Sequence, residues 1–439
     1  MTFATDYRLE NYIIDSKWED FPKEVHERAV VCAIDLTIAL LLGSRGKQHE
    51  VGVKTAKRIY QPGEIPIVGS RETFSFMGAV TAMAHSSNSF DIDDGHNFIK
   101  GHPGASFVGG ALAAALDRDV TYREYLEALI VSYEVTIRWA LAMQDHYNYL
   151  HSTGAYGAFG TAAGVGRIFK LDRETLNNAL SIADFHAPMT PVMRAVEYPS
   201  MNKDGVPFGA FTGAMAVVEA LEGYKGKTHL LEMPKYKYLL DTLGAEYRIM
   251  ELYFKPFTCC RWAHQPISAC IDLMKERGFK SADVKSVVVY TFEAAARLSK
   301  IVPHSTDEAQ YNIAYPVAAA LVHGDLGYPQ IRDEALGDKK VTEMMEKLEF
   351  VVEPELEAQF PEKRLSWVEI ELFDGKRLRS DIYAAPGEAS DGVDLNWITE
   401  KFARITAPLI SPSKQRDILS SLSEPGNVKI RQIIEIINM

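Results

Sequence analysis

The sequence predicts a mainly α protein, with a large all-helical domain built from both chain ends and a smaller α+β domain inserted between them. Two observations favour this fold class. Apolar residues recur at helical spacing through the first 256 residues and again after residue 392. Between these parts lie two β-rich, alternating segments, DVKSVVVYTF and LSWVEIELFDGKRLRSDIY. We therefore expect a helical domain of residues 1–256 and 393–439 and an α+β lid domain of residues 257–392.

The length and composition agree with two soluble domains. The chain has 439 residues, and single cores stop growing near ~250–300 residues. Its net charge of −12 argues against nucleic acid or an anionic membrane surface as a partner. The four cysteines form no CxxC pair, so we expect neither a disulfide framework nor a zinc site. Free thiols and the lack of a leader pattern predict a cytoplasmic protein.

The first half shows the clearest helix signals. PKEVHERAVVCAIDLTIALLLG has helical periodicity and ends at Gly43, which is typical of a helix C-terminus. TYREYLEALIVSYEVTIRWALAM begins with Thr121 and has Glu124 three positions later, the pattern of a capping box. LDRETLNNALSIADF and the segments 155–168 and 208–222 continue the pattern. Their many glycines and alanines predict closely packed helices.

The second half alternates helices and strands. The helix QPISACIDLMKERG precedes the first β-rich segment, and FDGK predicts a hairpin within the second. The helix NIAYPVAAALVHG and the strand EKLEFVVEPE are predicted between them. After residue 392 the pattern returns to helices, in ITEKFARITA, SKQRDILSSLSE and VKIRQIIEIINM.

Polar residues interrupt the apolar helices in five stretches. These are FDIDDGHNFIKGHPG from residue 90, LHSTGAYGAFG, YPSMNKDGVPFGAF, FKPFTCCRWAHQP and DEAQYNIAYPVAAAL. Several of their ionisable residues come directly before a predicted helix start, where free backbone N–H groups attract anions. If His102, His151, Lys203, Lys255 and Arg261 converge, they form a site for a small di- or tricarboxylate.

Other interpretations of these stretches are less favourable. Asp91, Asp93, Asp94, His96 and His102 are metal-ligand types, but their spacing matches neither HExxH nor an EF-hand loop, so we expect no metal. No nucleotide-binding glycine motif and no GxSxG elbow are present.

Two tyrosines of the fifth stretch, Tyr311 and Tyr315, are four positions apart. This spacing predicts that they share one helical face, where such residues are ordinarily core aromatics.

Taken together, the five stretches resemble the MmgE/PrpD family. The matching segments are AHSSNSFDIDDGH…GHPGA, HSTGAYGAFGTAAG, SMNKDGVPFGAFTG, KPFTCCRWAH and EAQYNIAYPVAAALVHG. They occur in family order and span nearly the whole chain. The chain differs from several members at Gly95, where a threonine is common, and at Cys260, where the decarboxylase has a histidine.

The resemblance implies an active site in a cleft between the helical domain and the lid, in a homodimer without a cofactor. The catalytic residues implied are Asp91, His102, His151 and Tyr315. The substrate-binding residues we expect are Lys203, Lys255, Arg261, His96, Asp94, Cys260 and His264.

The resemblance also implies a lyase that acts on a small polycarboxylate, similar to 2-methylcitrate dehydratase. Its chemistry would be proton abstraction α to a carboxylate and loss of a β-hydroxyl group. An epimerase of a substituted succinate and a cis-aconitate-type decarboxylase remain open as alternatives. A non-catalytic carboxylate-binding protein is the alternative from another class.

Overall fold

The computed structural model describes residues 6–439 and shows a mainly α protein with one small mixed sheet. The α-helices are α1 (Arg8–Asp15), α2 (Lys23–Gly43), α3 (Lys47–Ile59), α4 (Phe76–Ser87), α5 (Pro103–Asp117), α6 (Tyr122–His146), α7 (Thr153–Ile168), α8 (Arg173–Phe185), α9 (Met193–Glu197), α10 (Val206–Leu221), α11 (His264–Arg277), α12 (Glu293–Ala296), α13 (Thr306–Gln310), α14 (Ala314–His323), α15 (Tyr328–Ile331), α16 (Lys339–Met345), α17 (Pro354–Glu357), α18 (Leu395–Thr406), α19 (Pro412–Ser423) and α20 (Ile430–Asn438).

The strands form one larger sheet and two short two-stranded sheets. Their bounds are β1 (Ile65–Pro66), β2 (Thr73–Phe74), β3 (Gly95–His96), β4 (Leu252–Tyr253), β5 (Val284–Thr291), β6 (Leu348–Val352), β7 (Leu365–Leu372), β8 (Arg377–Arg379) and β9 (Tyr383–Ala384). The larger sheet has the order β6-β5-β7-β8, with β9 also paired to β7. Strands β5 and β6 are parallel, whereas β7 is antiparallel to each of its partners, β5, β8 and β9.

The helix signals of the first half are confirmed at their termini. Helix α2 ends at Gly43 as predicted. At the start of α6, Thr121 and Glu124 form the predicted capping box: the Glu124 backbone N–H donates to Thr121 Oγ1 at 3.2 Å, and the Thr121 N–H donates to Glu124 Oε2 at 2.7 Å. Each bond satisfies a backbone donor that a helix N-terminus otherwise leaves unpaired.

Glycines allow the central helices to lie in backbone contact. A Cβ atom on Gly213 of α10 would lie 2.1 Å from the Ala158 carbonyl oxygen of α7. Gly43 has a similar role, because its Cβ would lie 1.9 Å from the Ser86 carbonyl oxygen of α4. Its backbone φ is not positive, so close approach, rather than a left-handed cap, requires glycine at this helix end.

The C-terminal helices pack back onto the N-terminal ones. Helix α18 contacts α2, and α20 contacts α5. Lys401 of α18 forms a fully buried ion pair with Asp35 of α2 and donates a second bond to the Ile92 carbonyl oxygen at 2.7 Å. Because an unpaired buried charge is costly, this contact ties both chain ends to the loop that follows α4.

Two expectations about secondary structure are wrong. The region before residue 256 is not helical throughout: it contains the two-stranded sheets β1–β2 and β3–β4, and its last part is mostly short 3-10 turns. In addition, Tyr311 and Tyr315 do not share a helix. Helix α13 ends at Gln310, and Asn312 Oδ1 accepts the Tyr315 N–H at 2.8 Å, so α14 begins anew.

Within residues 6–439, no single helix combines the length and apolar character that crossing a bilayer requires. Helices α2 and α3 meet that criterion only as a pair, across an 82° bend.

The glycine contacts between α7 and α10 yield a stability prediction. Gly213→Ala should lower the free energy of unfolding by about 1–3 kcal/mol, because the new methyl group meets backbone atoms that cannot rotate away. Chemical denaturation measures the change. Gly337→Ala is the matched control, since a Cβ there meets nothing within 4 Å. Equal effects of the two substitutions would contradict this packing role.

Candidate active site

The loop between α4 and α5 carries the densest group of ionisable side chains. Asp91 has a left-handed backbone with φ of 52°, a conformation uncommon in residues other than glycine. Asn88 at the end of α4 donates to Asp93 Oδ1 at 2.9 Å. Asp91 and Asp93 are both almost fully buried, so their charges require partners from other parts of the chain.

Lys255 supplies the first partner. Its ammonium is fully buried and lies 2.8 Å from Asp91 Oδ1 and 3.0 Å from the Asp91 carbonyl oxygen. The charges of Asp91 and Asp93 raise the pKa of Lys255 despite its burial. Lys255 is therefore a charged group paired with Asp91, and the substrate contact expected of it stays an untested prediction.

His102 lies at the centre of this group. Its Nδ1 is 3.0 Å from Asp93 Oδ2, and its Nε2 is 3.3 Å from Asp204 Oδ2 and 3.7 Å from Asp91 Oδ1. Burial and the Lys255 ammonium, 3.1 Å from Nδ1, oppose the ring's charge. The carboxylates outweigh them and raise the pKa of His102 well above its ordinary value. The His102 ring is therefore an imidazolium at neutral pH.

Asp204 connects the His102 region to helix α7 and to the residue that directly follows α13. Its Oδ2 accepts from Thr153 Oγ1 at 3.3 Å, and its Oδ1 accepts from the Tyr311 hydroxyl at 3.3 Å. The Thr153 hydroxyl oxygen in turn accepts the His102 backbone N–H at 3.2 Å. Burial opposes the carboxylate charge, but contact with His102 and the charges of the nearby lysines lower the pKa of Asp204.

Lys203 projects from the turn before α10, where its backbone φ is 45°. Its ammonium hydrogen-bonds to Gln310 Oε1 and lies 3.8 Å from Asp307 Oδ1. Lysine in a left-handed conformation is strained, and such strain occurs preferentially at functional sites. With one hydrogen bond made among the described residues, Lys203 retains donors for a ligand.

A cleft of about 1080 Å³ opens beside Lys203. Its walls come from the segment around α9 and from the region between α12 and α13. Ser152, Lys203 and Gly205 form part of the lining, and Arg194 and His304 also contribute. The buried ionisable cluster therefore lies next to a cleft large enough for a small organic acid.

Asp94 and His96 have different hydrogen-bonding partners from those of Asp91. Asp94 accepts the Tyr133 hydroxyl and the Gly104 backbone N–H, the latter at 3.0 Å. Burial and the nearby Asp35 charge raise the pKa of Asp94 to about 7. His96 lies 2.8 Å from Glu251 Oε2. These contacts give both residues structural partners, and the substrate contacts expected of them stay untested predictions.

Arg261 and His264 are held by backbone oxygens. The Arg261 guanidinium donates to the Pro386 and Ala385 carbonyls at 2.6 and 3.0 Å, and it pairs with Glu388 at 2.8 Å. His264 Nε2 lies 3.0 Å from the Cys259 carbonyl oxygen, and burial lowers the pKa of this histidine. Arg261 Nε and His264 Nδ1 have no hydrogen-bond partner within residues 6–439, and the substrate contacts expected of both residues stay untested predictions.

Cys260 and Gly95 belong to the two segments that also carry Lys255 and Asp91. Burial and the Asp91 charge raise the pKa of Cys260 to about 12, so its thiol is neutral. Gly95 pairs with Tyr253 in the antiparallel β3–β4 sheet. A Cβ on Gly95 would lie 2.2 Å from the Tyr253 ring, so Tyr253 fills the space that a side chain at position 95 would need.

Tyr315 is not brought to the cluster. Its hydroxyl donates to the Gln330 carbonyl oxygen at 2.7 Å. Tyr311, which the sequence treats only as a core aromatic, is the tyrosine that contacts Asp204. The break between α13 and α14 gives these two tyrosines different partners, and the catalytic role expected of Tyr315 stays an untested prediction.

His151 lies directly before α7, one residue from cleft-lining Ser152. Its backbone forms a bridge with Pro191, another lining residue. The ring is buried against Tyr149, with centroids 4.0 Å apart, and neither of its nitrogens hydrogen-bonds to any residue between 6 and 439. Burial lowers the pKa of His151, so the ring is neutral at pH 7.

Asp91, Asp93 and His102 offer ligand atoms within 4.8 Å of one another, a spacing that a metal ion could bridge. The Lys255 ammonium lies 2.8 Å from Asp91 Oδ1 and 3.1 Å from His102 Nδ1. A divalent ion at these atoms would face that positive charge, and it would have to compete with protonated His102. The residues therefore fit an internal ion-pair network better than a metal site.

Asp204 is the main site residue that sequence reasoning missed. It directly follows Lys203 in the turn before a glycine-rich helix, and this is the one sequence signal that could have indicated it. Asp93 was also absent from the expected site, having been weighed only as a possible metal ligand.

The chain belongs to the MmgE/PrpD family. Residues 7–245 match the MmgE/PrpD N-terminal domain, and residues 257–423 match the MmgE/PrpD C-terminal domain.

Similar proteins include two kinds of named enzyme. 2-Methylcitrate dehydratase of Salmonella typhimurium is 24% identical, over 74% of this chain and 73% of that protein. Cis-aconitate decarboxylase-like protein oryM of Aspergillus oryzae is 22% identical, over 98% of this chain and 96% of that protein. Cis-aconitate decarboxylase of Aspergillus terreus is 22% identical, over 69% of each.

The raised pKa of Asp94 predicts a pH-dependent stability. Folded Asp94 has a pKa of about 7, against about 3.9 in an unfolded chain. Between these values the folded state holds a proton that the unfolded state has released, so wild-type stability falls as pH rises. Asp94→Asn lacks this titration. Its unfolding free energy relative to wild type should rise by on the order of 3 kcal/mol from about pH 4 to about pH 7.

Denaturant unfolding at a series of pH values measures this difference. Asp417→Asn, at an exposed position of α19, controls for the loss of a carboxylate in general. If the difference in unfolding free energy between Asp94→Asn and wild type stays constant with pH, the raised pKa of Asp94 is contradicted.

Proposed function

We propose that the chain is a cofactor-independent lyase that removes a β-hydroxyl group from a small hydroxy-polycarboxylate after proton abstraction α to a carboxylate. The observation that carries this proposal is the group of buried carboxylates and cations around His102 beside an open cleft. The similarity to 2-methylcitrate dehydratase and cis-aconitate decarboxylase supports the same reaction class.

The chemical problem of such a reaction is the carbanion. Removing a proton α to a carboxylate produces a dianionic, enolate-like species, which is very unfavourable in water. Fixed cations and N–H dipoles stabilise it where the charge develops. Lys203 and the first turn of α10 lie at the cleft. The Gly154 N–H of α7 donates to the Asp204 carbonyl oxygen at 2.8 Å, which holds the turn that carries Lys203 in place.

Two groups suit proton abstraction. Lys255 pairs with Oδ1 of Asp91, which leaves Oδ2 as the oxygen that can take a proton. His151 is a neutral imidazole without a hydrogen-bond partner in residues 6–439, and a neutral ring can also act as a base. His102 can act as the acid for the departing hydroxyl group, because its raised pKa keeps the ring protonated at neutral pH and its side chain is 12% exposed.

Lys203 is the substrate-binding group that this arrangement favours most strongly. It lines the cleft and has donors to spare. Ser152 lines the same cleft, and its buried hydroxyl oxygen has no hydrogen-bond partner in the part of the chain that is described. Together they would hold one substrate carboxylate next to His102.

Several wider expectations belong to the same proposal. We propose that residues 1–256 with 393–439 form the helical domain and that residues 257–392 form a lid. The protein would act as a cytoplasmic homodimer on a small polycarboxylate. The match to the family's C-terminal domain continues past residue 392 to residue 423. It therefore includes α18 and α19, which we assign to the helical domain.

The reaction class is tested by proton NMR of hydroxy-carboxylate substrates in deuterated buffer. Dehydration gives an alkene signal, and this is the result we expect. Exchange of the α-proton without an alkene would indicate an epimerase, and release of CO₂ would indicate a decarboxylase. Binding of carboxylates without any turnover would favour a binding protein.

Substitution of His102 tests the proposed acid. His102→Gln should lower kcat about 10²–10⁴-fold, because glutamine cannot transfer the proton. The same NMR assay measures the rate. His186→Gln, at an exposed position after α8, is the control and should leave kcat unchanged. If His102→Gln retains full turnover on every substrate that the wild type accepts, His102 is not the acid.

A further inference from the structure

The cluster beside the cleft neutralises its own charges. Three carboxylates and three cationic side chains lie in ion-pair contact or close to it, and they are Asp91, Asp93, Asp204, Lys203, Lys255 and His102. Asp307, 3.8 Å from Lys203, adds a fourth carboxyl group. A site built to bind a tricarboxylate would need a clear excess of positive charge, and this cluster has none.

Protein groups also occupy the helix N-termini that the sequence assigns to substrate carboxylates. Asp94 accepts the Gly104 N–H in the first turn of α5. At the start of α7, Asp204 accepts the Thr153 hydroxyl, and the Asp204 carbonyl oxygen accepts the Gly154 N–H. The anion positions of α5 and α7 are therefore largely taken before any ligand arrives.

Asp204 affects substrate binding most directly, because its carboxylate lies against Nε2 of His102. The Asp204 Oδ2 atom is 3.3 Å from His102 Nε2, while Asp93 holds Nδ1. A substrate carboxylate that approached Nε2 would meet the Asp204 carboxylate at close range. Like charges at such distances in a buried site repel strongly.

We propose that Asp204 restricts the substrate to one with no more than two carboxylates, by taking the position on His102 that a third substrate carboxylate would need. This inference rests on the proposed function and narrows its substrate class to hydroxy-dicarboxylates. One carboxylate pairs with Lys203 and Ser152. The other lies toward the outer part of the cleft, where Arg194 is exposed.

The hydroxyl group of such a substrate gains a partner from the same arrangement. A hydroxyl group is neutral, so it can approach His102 and Asp204 without electrostatic repulsion. Its oxygen can accept from His102 Nε2 while its O–H donates to an Asp204 carboxylate oxygen. At this one position, Asp204 therefore repels an anion and accepts a hydrogen bond from a hydroxyl group. This combination gives discrimination by repulsion as well as by attraction.

Calorimetric binding of two unreactive probes, succinate and propane-1,2,3-tricarboxylate, tests the inference. The wild type should bind succinate at least about ten-fold more tightly than the tricarboxylate. Asp204→Asn removes the charge but keeps the shape, so it should reduce this preference by about ten-fold or more. Asp204→Glu keeps the charge and should retain the preference.

A wild type that binds the tricarboxylate more tightly than succinate would overturn the inference and leave the proposed function intact. An unchanged preference in Asp204→Asn would also overturn it. If neither probe binds and no carboxylate is turned over, the proposed function fails, and this inference fails with it. The wild-type preference decides the question even if Asp204→Asn does not fold.

Discussion

The constraint on which the site depends is the mutual compensation of charges that are buried together. Asp91 and Asp93 follow α4 into the interior, where isolated carboxylates would be very costly. Lys255 and His102 compensate them, and Asp204 completes the surroundings of His102. These residues come from distant parts of the sequence, so the folded chain must bring them together with accurate geometry. The helix packing therefore sets the geometry of the site, and the buried charges in turn require that packing.

Close helix contacts and ion pairs provide that geometry. Glycines let α7 and α10 approach to backbone contact, which places Lys203 and Asp204 beside the first turn of α7. The buried pair between Asp35 and Lys401 fixes α18 on α2, and the second bond of Lys401 holds the Ile92 carbonyl between Asp91 and Asp93. A residue of the C-terminal region thus supports the loop that carries the central carboxylates.

Much of this could be predicted from the sequence, since periodicity, capping and turn signals are local. The long helices, the hairpin before β8 and the capping box at Thr121 all follow from such signals. The roles of Tyr311 and Tyr315 could not be predicted, because an Asn312 contact breaks the helix between them. Lys255 and Arg261 carry the expected charge, yet their partners are set by tertiary contacts. Asp204 was missed for the same reason, since its significance arises only when it meets His102.

The proposed ion-pair network requires that the His102 ring carry a proton on both nitrogens. Nitrogen NMR of the wild-type protein with labelled histidine, assigned by comparison with His102→Gln, reports that state. We predict that the His102 ring keeps both protons at a pH where the histidines of the unfolded protein have lost their charge, because Asp93 and Asp204 face its two nitrogens. A His102 ring that loses its proton at or below the ordinary histidine value of about 6.5 would contradict the proposed ion-pair network.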